Sequence, residues 1–132
     1  MSHMSSDDPL VIAIDSSTTS TKAIVVDTQG NVISLGRREI ALLSPEQGFG
    51  EHDPRQWWTS TRDAIAEALA GLTPAEKERV AALGITHQRE SFAPFTADGT
   101  PLRRTAVRHH SLPALEEDLG PGVVEALART AA

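Results

Sequence analysis

The sequence predicts an α/β domain with a mixed sheet and flanking helices. Apolar, β-branched runs separated by turns indicate strands at Leu10 to Asp15, Lys22 to Asp27 and Val32 to Ile40. An amphipathic stretch from Asp53 to about Ala70 indicates a helix, and the apolar run from Val80 to Thr86 indicates a further buried strand. Because a helix precedes it, this last strand should return parallel to a neighbour in the sheet.

Turn and capping residues define the predicted boundaries. Gly30 can supply the positive φ that the turn between the second and third strands needs. Asp53 is expected to cap the long helix, with Pro54 in its first turn, Gln56 reaching back to the cap and Gly71 ending it. The face that this helix turns towards the sheet is predicted to contain Trp58, Thr61, Ile65, Ala68, Leu69 and Leu72.

The remaining segments are less regular. Residues 44–53 are expected to form a loop that could act as a lid or contact surface. Residues 73–76 repeat the capping pattern for a short helix, and residues 91–96 resemble a weak edge strand because a proline interrupts them. Residues 97–100 indicate a turn. Residues 112–128 indicate a helix with a break at Gly120 to Gly122.

Length, charge and composition exclude several classes of protein. The 132 residues suit one domain with its own core, and the absence of cysteine excludes disulfides and thiolate chemistry and fits a reducing cytoplasm. With a net charge of −6, the chain lacks the excess of basic residues that is typical of nucleic-acid-binding proteins, so nucleic acid is not an expected partner. No apolar stretch reaches the length of a membrane helix, and the polar start is no signal peptide. We expect a soluble cytoplasmic protein whose residues 1–9 are disordered, with a tag-like Ser2-His3-Met4.

The most informative segment is the hydroxyl-rich turn from Asp15 to Lys22. It places a carboxylate, a run of Ser and Thr and a lysine directly after a buried strand. Such a turn presents backbone N–H groups and hydroxyls to phosphate oxygens, and a carboxylate suits magnesium. Ser- and Thr-rich turns also join strands that bind nothing, and the chain has neither a Walker-type loop nor a G-x-G-x-x-G motif. The turn is therefore a candidate phosphate site that needs support from other motifs.

That support comes from two later segments, Glu51 to Pro54 with its following tryptophans and Gly84 to Glu90. In this order the three segments resemble the N-terminal region of the FGGY carbohydrate kinases, and its glycerol kinase-like members in particular. Those proteins carry an Asp-x-Gly-Thr-Thr-Ser turn, a Glu-His-Asp-Pro helix start and a Gly-Ile-Thr-x-Gln-Arg-Glu segment. The resemblance covers roughly residues 10–112. It implies an actin-like, ribonuclease-H-like ATPase fold, of which residues 10–132 would form an incomplete N-terminal domain.

The resemblance also implies a reaction, cofactors and site residues. The reaction is phosphoryl transfer from ATP, with Mg²⁺, to a hydroxyl of a sugar or polyol, and a glycerol-like substrate is favoured. Asp15 would lie near the metal. The residues assigned to the nucleotide phosphates are Asp15, Thr18, Thr19, Ser20 and Lys22. The residues assigned to the substrate hydroxyls are Gln88, Arg89 and Glu90, in which the arginine donates hydrogen bonds and the glutamate accepts them.

Two residues depart from the family pattern. Ser17 stands where the family usually has glycine, and its Cβ would crowd a ligand that approaches the backbone. Arg108 lies in a segment where glycerol kinases have a tryptophan that packs on the substrate carbons. The family's general base lies in a part that this sequence does not contain, so no residue here is assigned as catalytic. We expect little or no turnover from this chain without the missing C-terminal domain.

The sequence favours structural roles for the remaining histidines and the two tryptophans. His109 and His110 lack further ligands at metal-binding spacing. His52 is interpreted as a loop residue and His87 as a strand-end residue, and at most one of the two adjacent tryptophans should point into the core. The alternative function is a non-catalytic remnant or interaction module that keeps the scaffold. It would not bind Mg²⁺-ATP, and it would expose an apolar surface to a partner, such as a second copy of itself.

Overall fold

The structure, a computed structural model, describes residues 8–45, 50–88 and 91–108, with only the backbone of residues 106–108. Its elements follow the chain as β1 (Leu10–Ser16), β2 (Ser20–Val26), β3 (Val32–Glu39), β4 (Gly50–His52), α1 (Pro54–Ala70), α2 (Pro74–Glu78), β5 (Val80–His87) and β6 (Thr105–Arg108). The predicted features outside the described residues are the segment 1–7, Arg89, Glu90, His109, His110 and the helix at 112–128.

Within the described residues, the main sheet has four strands in the order β3-β2-β1-β5. The pairs β1–β2 and β2–β3 are antiparallel, whereas β5 lies parallel to β1. The predicted mixed sheet and parallel return are therefore confirmed. Gly30 has a φ of 85° in the turn between β2 and β3, as this turn requires. A second sheet joins β4 to β6.

The hydrophobic core lies between one face of the main sheet and α1. It consists of Leu10, Ile12, Ile14, Ala23, Val25, Ala64, Ala68 and Leu72. The helix approaches β3 so closely that a Cβ on Gly36 would lie 2.0 Å from the carbonyl oxygen of Ala64. Small residues at this crossing let the helix cover β1 to β3. The alternation of side chains then directs Asp15 and Lys22 to the opposite face of the sheet.

Most of the capping residues predicted for the two ends of helix α1 are confirmed. The Asp53 carboxylate accepts a hydrogen bond from the N–H of Arg55, Pro54 opens the helix and Gly71 is its C-cap residue. The role predicted for Gln56 is wrong, because its side-chain oxygen accepts from the N–H of Ala41, 3.0 Å away, and does not reach back to the cap. The short helix has the predicted capping box between residues 73 and 76.

The predicted apolar face of α1 is wrong at Trp58, which is 67% exposed. The buried residues of α1 are Pro54, Ser60, Ala64 and Ala68. Close packing against Gly36 leaves room for small side chains and turns the large indole outwards. Trp57 is half-buried, in line with the prediction that only one of the two tryptophans could face inwards.

Three strand predictions also need correction. Within the segment predicted as a loop, Gly50–His52 form a strand that pairs with the unpredicted β6. Residues 91–96 form no strand, and only an isolated bridge joins Phe95 to Pro101. Strand β5 was expected to be buried, but Leu83 and Ile85 are 49% and 64% exposed. They share a face with the core residues of β1, beyond the area that α1 covers.

In the part of the chain that the structure describes, no helix is both long and apolar enough to cross a membrane.

Candidate functional site

Asp15 lies at the centre of a row of polar residues across the main sheet. It pairs directly with Lys22 on β2 and with Thr86 on β5. Directly paired residues project from the same face, so these three side chains lie side by side on the face opposite α1. Neither Asp15 nor Lys22 forms an ion pair with another described residue. The carboxylate and the ammonium group are therefore available to a ligand at the end of β1.

The turn from residue 17 to residue 19 continues from this row. The N–H of Ser17 donates to the carbonyl oxygen of Ser20 at 2.9 Å, and the hydroxyl of Ser17 donates to the same oxygen at 2.8 Å. The side chain of Ser17 thus contributes a bond that a glycine at this position could not make. Its side chain folds back across the turn and closes it.

The carbonyl groups of this turn are all held from outside it. The side-chain amide of Gln88 donates to the carbonyl oxygen of Ser17 at 3.2 Å, and the ring Nε2 of His52 bonds that of Thr18 at 2.8 Å. The N–H of Ile40 donates to the carbonyl oxygen of Thr19 at 2.9 Å. Among the described residues, the N–H groups of Thr18 and Thr19 have no acceptor. As far as the structure describes the chain, two backbone donors are thus free to bind an anion.

The three hydroxyl residues assigned to the phosphates differ in accessibility. Thr19 is exposed and Thr18 is half-buried, whereas Ser20 is only 3% exposed at the start of β2. Thr18 and Thr19 are therefore the accessible members of the group. Ser20 contributes the carbonyl oxygen that closes the turn.

His52 is a functional candidate that the sequence pattern does not reveal, because the segment around it predicts a loop. It lies in β4 and is 0% exposed. The indole N–H of Trp57 donates to its Nδ1 at 2.9 Å, so Nδ1 must be an acceptor and Nε2 carries the proton that Thr18 accepts. Burial lowers the pKa of His52, against an opposing effect of the Thr18 bond, and favours this neutral ring. The signal in the sequence was its position directly before the helix cap.

A chain of hydroxyl groups connects the turn region to α1. The hydroxyl of Thr21, which is fully buried, bonds that of Ser60 at 3.0 Å and lies 3.3 Å from that of Ser16. Both strands that flank the turn are therefore linked to each other, and β2 is linked to the helix, through polar contacts inside the core. These contacts fix the register of the two strand ends that carry Asp15 and Lys22.

Of the residues assigned to the substrate, the structure describes Gln88 alone. Its side-chain amide nitrogen holds the hydroxyl turn through the Ser17 carbonyl, and its side-chain oxygen Oε1 accepts a bond from the hydroxyl of Ser91 at 3.3 Å. Gln88 also borders a cavity of about 150 Å³ at the ends of β1 and β5. The lining residues are Ser16, Trp57, Thr61, His87, Gln88 and Ser91.

A larger cavity of about 570 Å³ lies at the start of α1, and none of the predicted site residues lines it. Arg55 on its wall is paired with Asp53 at 2.7 Å. The larger volume therefore does not mark the candidate site.

No group of three or more metal-ligating side chains occurs within the described ranges. Magnesium does not need one, because it keeps several waters and is usually bound through one or two carboxylates together with substrate phosphates. A half-buried Asp15 beside a turn whose Thr18 and Thr19 N–H groups have no acceptor within residues 8–45, 50–88 and 91–108 fits that mode of binding.

Residues 10–111 match the family model described as the N-terminal domain of the FGGY family of carbohydrate kinases. The chain belongs to this family. The match includes the hydroxyl turn, β4 with His52, and Gln88, which form the site described above. Membership agrees with the resemblance seen in the motifs of the sequence.

Curated relatives support the same assignment. Glycerol kinase 2 of Pseudomonas aeruginosa is 46% identical over 98 residues, which cover 74% of this chain and 19% of that protein. Glycerol kinase of Paenarthrobacter aurescens is 47% identical over 83 residues, covering 61% of this chain and 16% of that protein. This FGGY chain therefore spans about a fifth of the length of the relatives that it matches.

Solved structures confirm the actin-like ATPase fold for the part that this FGGY chain spans. The xylulose kinase of Rhodospirillum rubrum superposes with a TM-score of 0.73 and 28% identity, covering 89% of this chain and 24% of that one. The glycerol kinase of Plasmodium falciparum with ADP gives a TM-score of 0.63 at 23% identity, covering 87% of this chain and 23% of that one. At 23% identity, the similarity to the Plasmodium falciparum structure shows a shared fold alone.

Proposed function

We propose that this chain supplies the phosphate-binding half of an ATP-dependent carbohydrate kinase site. The complete site would transfer a phosphoryl group from ATP to a hydroxyl of a sugar or polyol. The observation that carries this proposal is the row of Lys22, Asp15 and Thr86 beside a turn in which two N–H groups have no acceptor in the described part of the chain. Phosphoryl transfer depends mainly on positioning and on neutralising charge, and these groups suit both tasks.

Within this proposal each group has a separate role. Lys22 neutralises charge on the phosphates, and the N–H groups of Thr18 and Thr19 bind phosphate oxygens in fixed directions. Asp15 holds Mg²⁺, directly or through water, and the metal supplies further charge neutralisation when bound. The hydroxyl of Thr19 is exposed and adds a donor at the same edge. Ser20 supports the turn through its carbonyl oxygen.

For the substrate we propose a small polyol of the glycerol type. Curated relatives named glycerol kinase support this choice, and so does the Gln88-Arg89-Glu90 sequence that follows β5. Gln88 belongs to the turn as well as to the cavity of about 150 Å³, so it links the two parts of the proposed site. The cytoplasmic location, an oligomeric or C-terminal partner and the low turnover of this chain alone stay predictions from the sequence.

Calorimetric titration with ADP tests the nucleotide site in this chain. We expect binding in the presence of Mg²⁺, and we expect Asp15→Asn to weaken it at least about tenfold because a carboxylate that holds a metal is lost. Without Mg²⁺ the two proteins should differ much less. The matched control is Asp63→Asn, which removes a carboxylate from the exposed side of α1, where it pairs with Arg62.

The same titration distinguishes the kinase proposal from the alternative of a non-catalytic module. The exposed Leu83 and Ile85 on β5 are the observation that favours this alternative, because a partner could cover them. A module without a site would bind no nucleotide, with or without Mg²⁺. If wild-type protein and Asp15→Asn both fail to bind, the kinase proposal is wrong for this chain.

A further inference from the structure

We infer that His52 and Gln88 are positioning residues that aim the N–H groups of Thr18 and Thr19 at the nucleotide phosphates. The inference rests on the proposed function, and it assigns to Gln88 a role other than contact with the substrate. Neither residue would touch the phosphates. Each would act indirectly, by holding the backbone of the turn whose N–H groups contact the phosphates.

The argument begins with the geometry of the peptide group. In a trans peptide the C=O of one residue and the N–H of the next point in opposite directions. Gln88 holds the C=O of Ser17, which fixes the direction of the Thr18 N–H. His52 holds the C=O of Thr18, which fixes the direction of the Thr19 N–H. The two side chains therefore control the two donors that have no acceptor among the described residues.

The two side chains are themselves oriented by further contacts. The Trp57 indole N–H donates to Nδ1 of His52, which leaves Nε2–H as the donor to the turn. The side-chain oxygen of Gln88 accepts from the Ser91 hydroxyl, so its NH₂ group points to Ser17. A donor that its surroundings already orient loses little entropy when it holds the turn. This is the usual arrangement of residues that support a binding site from behind.

The two residues come from different parts of the fold. His52 ends β4 directly before α1, whereas Gln88 follows β5 and precedes Arg89 in the sequence. A third bond, from the N–H of Ile40 to the carbonyl of Thr19, comes from the end of β3. The turn is therefore held from three sides, and its position does not depend on its own short sequence alone.

The first experiment separates the two ring nitrogens of His52. The side-chain nitrogen of glutamine can take the place of Nε2 and donate to Thr18, whereas that of asparagine corresponds to Nδ1 and cannot reach it. We expect His52→Asn to raise the Kd for Mg²⁺-ADP about fivefold, the effect of one lost hydrogen bond, and His52→Gln to restore most of the affinity. Equal weakening by both variants would show that the imidazole matters only for packing and would overturn the inference.

The second experiment replaces the hydrogen-bond donor of Gln88 with an acceptor. Gln88→Glu keeps the shape of the side chain but turns an oxygen towards the Ser17 carbonyl, so the two oxygens repel. We expect an increase in Kd of at least about fivefold. The matched control is Gln56→Glu, which makes the same change of charge at a side chain whose oxygen already serves as an acceptor for Ala41. If both glutamate variants bind ADP like the wild type, Gln88 does not position the turn.

A measurement without nucleotide distinguishes failure of this inference from failure of the proposed function. ¹⁵N NMR of the free protein should show His52 as the neutral Nε2–H tautomer. The amide signals of Thr18 and Thr19 should shift in His52→Asn and return towards the wild-type positions in His52→Gln. The opposite tautomer, or turn signals unaffected by both variants, overturns the inference even if ADP binds. Failure of the wild type to bind ADP while these signals behave as expected contradicts the proposed function alone.

Discussion

The close approach of α1 to β3 makes Gly36→Ala a sharp test of the packing. A Cβ at residue 36 would lie 2.0 Å from the carbonyl oxygen of Ala64 and 2.7 Å from the backbone nitrogen of Ala68. Both atoms belong to the backbone of the helix, so no side-chain rotation can relieve the contact. Carbon and oxygen atoms normally stay about 3.3 Å apart, so the helix would have to move by more than about 1 Å.

Such a movement would loosen the whole interface between α1 and the sheet. Ala64 and Ala68 are fully buried core residues at that interface, and overpacking of this kind costs about 1 to 3 kcal/mol or more. We therefore expect Gly36→Ala to lower the free energy of unfolding by about 2 to 4 kcal/mol. For a domain of this size the melting temperature should fall by about 8 to 16 °C.

Urea denaturation followed by circular dichroism measures this loss, with Gly84→Ala as the control. Gly84 also lies in a strand of the main sheet, but a Cβ added there meets no atom within 4 Å. Alanine is favoured over glycine in a strand by about 0.5 to 1 kcal/mol, so the control should be neutral or slightly stabilising. Equal losses for the two variants, or a loss below about 1 kcal/mol for Gly36→Ala, would refute the close packing.

Three further predictions concern polar groups. Thr21→Val removes the buried hydroxyl between Ser16 and Ser60, and urea denaturation should show a loss of about 1 to 2 kcal/mol, whereas no loss would contradict the proposed contact. Burial in the folded protein lowers the pKa of His52 below its ordinary 6.5, so the unfolded chain binds a proton on this residue more readily. The neutral ring therefore stabilises the folded state above pH 6.5, and this contribution is lost as the pH falls below 6.5. Between pH 7.5 and about pH 5, the free energy of unfolding should therefore decrease more for the wild type than for His52→Gln. An equal decrease in both proteins would show that His52 is not the source of the pH dependence. Thr73→Ala breaks the capping box of α2 and should cost about 1 kcal/mol in the same assay, with Thr59→Ala, on the exposed side of α1, as a near-neutral control.

The parts of the fold that the sequence predicted are those that depend on neighbouring residues. Strands β1 to β3 follow from apolar runs and a glycine turn, and the start of α1 follows from Asp53 and Pro54. The capping box at Thr73 is equally local. In each case the residues that determine the structure lie within a few positions of one another, so the pattern is visible without the fold.

The parts that the sequence did not predict depend on residues far apart in the chain. Strand β4 exists because it pairs with β6, more than fifty positions later. Trp58 is exposed because Gly36 draws the small residues of α1 against the sheet, and periodicity alone favours large apolar residues for that face. The exposure of β5 likewise depends on which elements cover it, and not on its own apolar composition.

The candidate site divides in the same way. The hydroxyl turn was visible because Asp15 to Lys22 are consecutive. His52 was not, because its bond to Thr18 joins residues 34 positions apart. Gln88 was assigned to the substrate through the resemblance, and its bond to Ser17 across 71 positions adds a connection that no local pattern contains.

The central claim is that the turn between β1 and β2 binds nucleotide phosphates through its backbone. The most direct measurement is a ¹⁵N–¹H NMR titration of this chain with Mg²⁺-ADP, read at assigned amides. We expect the largest shifts, to lower field, at the N–H groups of Thr18 and Thr19, because these donors have no acceptor among the residues that the structure describes. Shifts confined to other regions, such as the cavity lined by Arg55 and Arg103, or no shifts at millimolar nucleotide, would contradict the claim.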